Sequence, residues 1–313
     1  MKLKFYAAAL LALTLTGCNH DEIDNPLTDG PVPLGITAGI SSVATRATAN
    51  GLGAKFTEND VINVVAGGTS AYQYSLNTDN KWEAVDNKPY YFQTTDPVSF
   101  QAWYAVTTVT VENNSISIDT KTQTVTDGWN DHDILVTPQV KAGINAGTTT
   151  VSFTGDNAFR HIMSQVAFKF VKGEGITDLQ SLTGYTLKGI KTKAGFHTLT
   201  CKLEPEETTA DLPISFKELS NDKKPSSTEY LAVPIILVPQ TFSGHETTLE
   251  ITYNDQTYNA ILRTSPDGWQ SGYSYTYTVT IRNSGLEIGD ATIGEWQTPP
   301  DYAFNGDVSA DLQ

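Results

Sequence analysis

The 313-residue chain holds two cysteines and five histidines. Two cysteines are too few for a disulfide framework or a cysteine-based zinc site. Basic residues are scarce as well: 20 Lys and Arg stand against 35 Asp and Glu, a formal charge of −15. Arg46, Arg160, Arg263 and Arg282 are the only arginines. A polyanion partner needs a basic patch to release counterions, so nucleic acid is excluded as a partner. Beyond the N-terminus no apolar run approaches the roughly 20 residues of a spanning helix. The stretch from Leu231 to Val238 is interrupted by Pro234 and stopped by Pro239. There is no Gly-x-Ser-x-Gly elbow, no P-loop and no Rossmann glycine fingerprint. No two histidines sit at His-x-x-x-His spacing. These absences argue against an enzyme, and neither a cofactor nor a metal is expected.

What is abundant is core-forming material. Hydrophobic residues make up 39% of the chain, with 14 Tyr, 12 Phe and 5 Trp, which rules out a disordered solvating chain. The length predicts about two domains of roughly 150 residues each. At the N-terminus, Lys2 and Lys4 precede an apolar stretch from Phe5 to Leu15, followed by Thr16-Gly17-Cys18. A basic start, a short apolar core and small residues before a cut are the layout of a signal peptide over residues 1–17. Small residues followed by Cys resemble a bacterial lipobox, in which Cys18 carries the lipid and becomes the new N-terminus. The competing reading is an ordinary secretory signal with a chance cysteine. Asp21 and Glu22 follow directly, like the acidic tether of lipoproteins sent to the outer surface. Cys201 then has no partner and, alternating with Leu199 and Leu203, is expected in the core.

Period-2 alternation recurs along the body and helical periodicity does not. Tyr273, Tyr275, Tyr277, Val279 and Ile281 share one face. Leu249, Ile251 and Tyr253, the turn Asn254-Asp255, then Tyr258, Ala260 and Leu262 predict a hairpin. A second hairpin is predicted from Ala71–Leu76 and Lys81–Val85 around Asn77–Asn80. Many short strands with Gly, Asn and Asp turns define an all-β sandwich or barrel. A parallel α/β fold is disfavoured, since no stretch supplies the crossover helices. A domain boundary is placed near residue 157, giving 47–157 and 158–313. Loops are expected to concentrate at 203–229.

Two segments at opposite ends match. Val32, Leu34, Ile36, Ala38 and Ile40 form one face of a half-buried strand. It leads into small polar residues around Thr45-Arg46-Ala47, a cleavable stretch for a protease that cuts after arginine. After Pro299-Pro300, the tail alternates again, with Tyr302, Phe304, Gly306, Val308, Ala310 and Leu312 on one face. If a cut at Arg46 freed the first strand, a groove would open that a neighbour's tail could fill by strand addition. Such a contact is head-to-tail and yields a filament. The alternative, that both strands pack permanently within one monomer, is equally compatible with the sequence.

The densest polar cluster is Asp127-Gly-Trp-Asn-Asp-His-Asp133. Its carboxylates offer oxygen ligands, but the spacing is not that of an EF-hand, and a solvated turn is the expectation. His161 sits on an apolar strand and is expected to be a hydrogen-bonded core or edge residue. Trp82, Trp103, Trp269 and Trp296 are expected in the core, whereas Trp129, in a polar turn, is a candidate adhesive contact.

In this context the chain resembles the fimbrillin family, the subunits and anchors of type V pili. The resemblance runs through Cys18, Thr45-Arg46-Ala47, Phe56-Thr-Glu-Asn-Asp60-Val-Ile, Phe100-Gln-Ala-Trp-Tyr104, Phe159–Phe168, Leu237-Val-Pro-Gln240, Trp269–Tyr277 and Ile293-Gly-Glu-Trp296. Asn59 stands where such chains often carry Gly. The resemblance implies two tandem transthyretin-like, Greek-key β-sandwich domains and export as an outer-membrane lipoprotein. It implies removal of the lipidated leader, residues 18–46, by an arginine-specific protease between Arg46 and Ala47. It further implies polymerisation with other pilus subunits by strand exchange, with residues 301–313 as the donor. The readings left open beside a fibre subunit are a lipid-retaining anchor, a tip adhesin, and a monomeric surface lipoprotein that binds a glycan or protein ligand.

Overall fold

A strand with one apolar face needs a second layer to cover it, so an all-strand chain resolves into stacked sheets. A computed structural model describes residues 30–41, 55–105, 109–123, 132–219 and 224–296. It is an all-β sandwich architecture with two large cores and a third cluster joining them.

The first large sheet orders Arg160–His161, Ile134–Val136, Val98–Ala105, Val61–Ala66, Ser70–Leu76 and Trp82–Ala84. Val140–Ala142 shares an edge of Val98–Ala105 with Ile134–Val136. Pro138, which has no N–H to donate, splits that edge partner in two. Thr137 bridges the gap: its N–H donates to the Ala102 carbonyl at 2.9 Å and its hydroxyl accepts from the Ala102 N–H at 2.9 Å. Facing this sheet are two small pairings. Val32–Pro33 runs antiparallel to Tyr91–Phe92, and Gly35–Ala38 runs parallel to Thr150–Phe153. Ile62, Val64, Phe100, Leu135, Val151, Phe153 and Phe159 are buried between the layers.

The second core lies between two broader sheets. In one, Ser164–Lys172 and Tyr273–Arg282 pair in parallel from Gln165–Ser274 to Lys172–Ile281. This parallel pair sits within an all-β fold and not a parallel α/β one. The chain makes the crossover through the opposite sheet of the sandwich, so no helix is needed. That opposite sheet orders Thr209–Ser215, Leu182–Lys191, Glu246–Tyr253 and Gln256–Arg263. Phe168, Phe170, Leu187, Leu249, Ile251, Tyr277 and Trp269 fill the space, and the Trp269 indole donates to the Tyr277 hydroxyl at 3.0 Å.

Both sequence-predicted hairpins are present, at 246–263 and 70–84. Asn254 and Asp255 both have positive φ, 54° and 57°, as a two-residue turn matching strand twist requires. The Asn77 side chain accepts from the N–H groups of Asp79 and Lys81, closing the other turn. Within 203–229, Lys202–Pro205 and Thr209–Ser215 are strands, and 206–208, 216–219 and 224–228 carry no strand. Gly155–Asn157 forms a single 3-10 turn, Arg160–His161 still pairs in the first sheet, and Ser164–Lys172 begins the second.

A three-stranded sheet ties the halves together: Ser115–Asp119 pairs with Lys193–His197, which pairs with Lys202–Pro205. Behind it lie Trp103, Ile116, Met163, Phe196, Ile236 and Trp296. Gln123 imitates a strand here. Its amide donates to the Ile236 carbonyl at 2.7 Å and accepts from the Ile236 N–H at 2.8 Å.

Candidate functional site

The segment singled out by its alternation, residues 32–40, lies inside the first sandwich. Leu34 and Ile36 are 4% and 8% exposed, and Val32, Ala38 and Ile40 pack half-buried against the same core. Pro33 and Thr37 point outward and are exposed. At roughly 1.5–3 kcal/mol for each fully buried Leu or Ile, the strand is held mainly by two side chains. Backbone bonds add register. Leu34 N–H donates to Tyr90 O at 2.9 Å, Gly35 N–H to Thr149 O at 3.0 Å, Gly39 N–H to Phe153 O at 2.9 Å and Ser41 N–H to Phe159 O at 2.8 Å. The strand thus bonds to Tyr90 at its start and to 149–159 afterwards. It is the piece that joins these two segments into one wall.

The floor of this groove is aromatic. Phe56 makes edge contacts with Trp82, Tyr104 and Phe159 at centroid distances of 5.1, 5.2 and 5.1 Å. The Tyr104 hydroxyl donates to Asp60 at 2.8 Å, and burial, reinforced by Asp60, pushes its pKa well above the ordinary tyrosine value. Asp60 also accepts from the Thr57 N–H at 2.6 Å, closing the turn through Asn59. Asn59 has φ 71°, a conformation open to Gly and tolerated by Asn. That explains the departure from Gly at this position.

One contact along the groove is unusually close. Gly35 is the register partner of Thr150. A Cβ placed on Gly35 would lie 2.7 Å from Thr150 Oγ1 and 3.4 Å from Thr150 Cβ. Gly39, the other outward glycine, meets nothing nearer than 4.0 Å.

Other predicted site residues distribute as follows. Cys18, Arg46, Ala47, Tyr302, Phe304, Val308, Ala310 and Leu312 lie outside the described residues, as do Asp127, Trp129, Asn130 and Asp131. Arg46 belongs to the stretch 42–54, which links Ser41 at the end of the buried strand to Lys55 beside the buried Phe56. Asp133 is not solvated: it is fully buried and 2.8 Å from His161 Nδ1, itself buried. The His161 ring stacks on Trp296 at 4.1 Å and 11°. Sequence reasoning treated Asp133 and His161 separately, because 28 residues divide them. Ser41, Arg160, His161, Tyr273 and Trp296 border one cleft of about 450 Å³, so the end of the buried strand and the last described residue share its rim. Trp103, Trp269 and Trp296 are buried, and Trp82 is half-buried. Cys201 is buried at a tight turn with φ 53°, and burial pushes its thiol up to about 12. Among the described residues no metal-binding cluster occurs, and no helix is long and apolar enough to cross a membrane.

The sandwich and its inserted strand define an all-β scaffold of packed sheets with long-range strand pairing. The model of the fimbrillin-like family matches residues 45–296, and the chain belongs to that family. No curated protein matches the chain. A crystal structure from Bacteroides ovatus, of a protein provisionally assigned to cell adhesion, is similar with a TM-score of 0.64 and 23% identity, covering 86% of this chain and 99% of that one. One from Bacteroides uniformis, assigned in the same way, has a TM-score of 0.63 and 18% identity, covering 85% and 99%. At these identities the likeness is one of fold.

Proposed function

We propose that the chain is a structural subunit of a surface fibre, exported as a lipoprotein and assembled by proteolysis-triggered strand exchange. Cys18 carries the lipid through the outer membrane. Residues 32–40 fill the groove of the first sandwich and block premature assembly. An arginine-specific protease cuts between Arg46 and Ala47, leaving 47–313 as the mature subunit. The released strand then gives way to residues 301–313 of another subunit, head-to-tail.

One observation carries this reading. The strand that completes the first core precedes the family-matched segment 45–296 and is joined to it only through the stretch containing Arg46. Once that link is cut, the strand is retained by non-covalent contacts: Leu34 and Ile36, the half-buried Val32, Ala38 and Ile40, and a row of backbone bonds. Those same bonds offer a template to any strand of the same alternation. Surface localisation, association with other subunits and an adhesion role follow from the same assignment.

The test uses the exported chain carrying Cys18→Ala, so that no lipid is attached. An arginine-specific protease is added, and the new N-terminus is read by mass spectrometry beside an unheated gel. A start at Ala47 with a ladder of oligomers is expected, and Arg46→Ala stays monomeric. Cleavage at Arg46 without any ladder overturns self-polymerisation and points to a tip subunit. An uncut Arg46 overturns the release step and points to an anchor.

A further inference from the structure

We infer that Thr150 fixes the register of the incoming strand, and that Ala303 of a neighbouring subunit takes the place of Gly35 opposite it. This inference rests on the strand-exchange reading above and specifies its geometry.

The argument starts from the close approach. At the Gly35–Thr150 pair, a Cβ would fall 2.7 Å from a hydroxyl oxygen and 3.4 Å from the Thr150 Cβ. A β-branched side chain has little rotamer freedom with which to withdraw. The outward position opposite Thr150 therefore favours Gly; any Cβ there requires the hydroxyl to turn, and the smallest side chains ask least of it. The outward phase of the tail consists of Ala303, Asn305, Asp307, Ser309 and Asp311. Only Ala303 and Ser309 are small.

The inward phase decides between them. From its second position the leader presents Leu34, Ile36, Ala38 and Ile40, a series of large, large, small and β-branched. With Ala303 at the Gly35 position and the same strand direction, the tail presents Tyr302, Phe304, Gly306 and Val308. The size order is the same, and Gly306 falls where Ala38 faces Phe153 in the ladder. With Ser309 at that position the series becomes Val308, Ala310, Leu312, and Leu312 is driven against Phe153. Reversing the strand about Ala303 brings Pro300 to the Ala38 position, where the Gly39 side of the ladder needs a regular backbone.

The register is tested by cysteine pairs in the exported, Cys18→Ala chain, cleaved at Arg46 and mildly oxidised. A Gly35→Cys/Thr150→Cys pair in uncut chain calibrates the position, since its Cβ spacing is near that of a disulfide. Thr150→Cys is then combined with Ala303→Cys, Asn305→Cys, Asp307→Cys or Ser309→Cys. The expected result is a reducible covalent ladder with Ala303→Cys alone. Ala303→Leu, with Thr150 intact, should abolish the unheated ladder while Ser309→Leu leaves it. A non-covalent ladder in which the crosslink follows Ser309→Cys or another position overturns the register while leaving strand exchange standing. Absence of any ladder in the parent chain overturns strand exchange, and the register with it.

Discussion

The two large cores differ in who builds their second wall. The core around Phe168 and Tyr277 is closed by a continuous four-stranded sheet drawn from 182–263, within the same stretch of chain as the strands it covers. The core around Phe100 and Phe159 is closed by two small pairings that residues 32–38 bridge. One sandwich is complete in itself. The other keeps a wall that arrives from before Arg46. Under the strand-exchange proposal this asymmetry has a use: the second sandwich keeps its own walls while the first loses and regains a strand.

The comparison is broken most severely by Phe168→Ala. Phe168 is fully buried and contacts Tyr185 and Tyr277 rings at 4.9 and 5.8 Å. Its loss should cost about 3–5 kcal/mol. Thermal unfolding monitored before and after cleavage at Arg46 should show the same deficit, because this core owns both walls. If the deficit changes on cleavage, the two cores are not independent in the way described.

Ile36→Ala comes next, at about 2–4 kcal/mol in the uncut chain, since Ile36 is 8% exposed beside Val151. Here the effect should depend on cleavage. In cut protein the variant strand leaves sooner, and assembly measured by light scattering starts earlier. An unchanged onset would mean that release of the strand does not limit assembly.

This asymmetry was only half legible in the sequence. The alternation of 32–40 was plain, as were the hairpins around Asn77–Asn80 and Asn254-Asp255, because local turn chemistry and period-2 patterning are written in neighbouring residues. The partner of 32–40 was not, since Thr150–Phe153 lies more than 110 residues on and pairs in parallel. The same holds for Gln165 with Ser274, and for Asp133 with His161, where long-range closure brings together groups whose local context looks solvated or unremarked. Gln123 was invisible for another reason. Its side chain takes the place of a backbone, which no alternation encodes.

Gln123 offers the third and smaller test, at the junction between the halves. Gln123→Ala removes three side-chain bonds and leaves the buried Ile236 N–H without its acceptor. The expected cost is about 1–3 kcal/mol. It should appear as a splitting of one unfolding transition into two in calorimetry, since the cluster behind Ser115–Asp119 couples the cores. A single transition merely shifted downward would show that the three-stranded sheet alone suffices to couple them.

The smallest expected effect sits at Gly35. Gly35→Ala adds one methyl 2.7 Å from Thr150 Oγ1, and overpacking of this kind costs about 1–3 kcal/mol. Two factors reduce the figure: Thr150 is exposed, so its hydroxyl can shift slightly within its restricted rotamer, and replacing Gly by Ala lowers unfolded-chain entropy by about 0.4–1 kcal/mol. A net loss of about 1 kcal/mol is expected. Thr150→Ala should restore stability in the double variant, while alone it changes little. The cycle is read by chemical denaturation of the uncut chain, and a coupling of this sign separates a steric contact from a general preference for glycine in the strand. If Gly35→Ala instead stabilises the chain without reference to residue 150, the close approach exerts no selection. The groove would then accept tails in more than one register, and the wall that leaves and the wall that replaces it would be matched by apolar alternation alone.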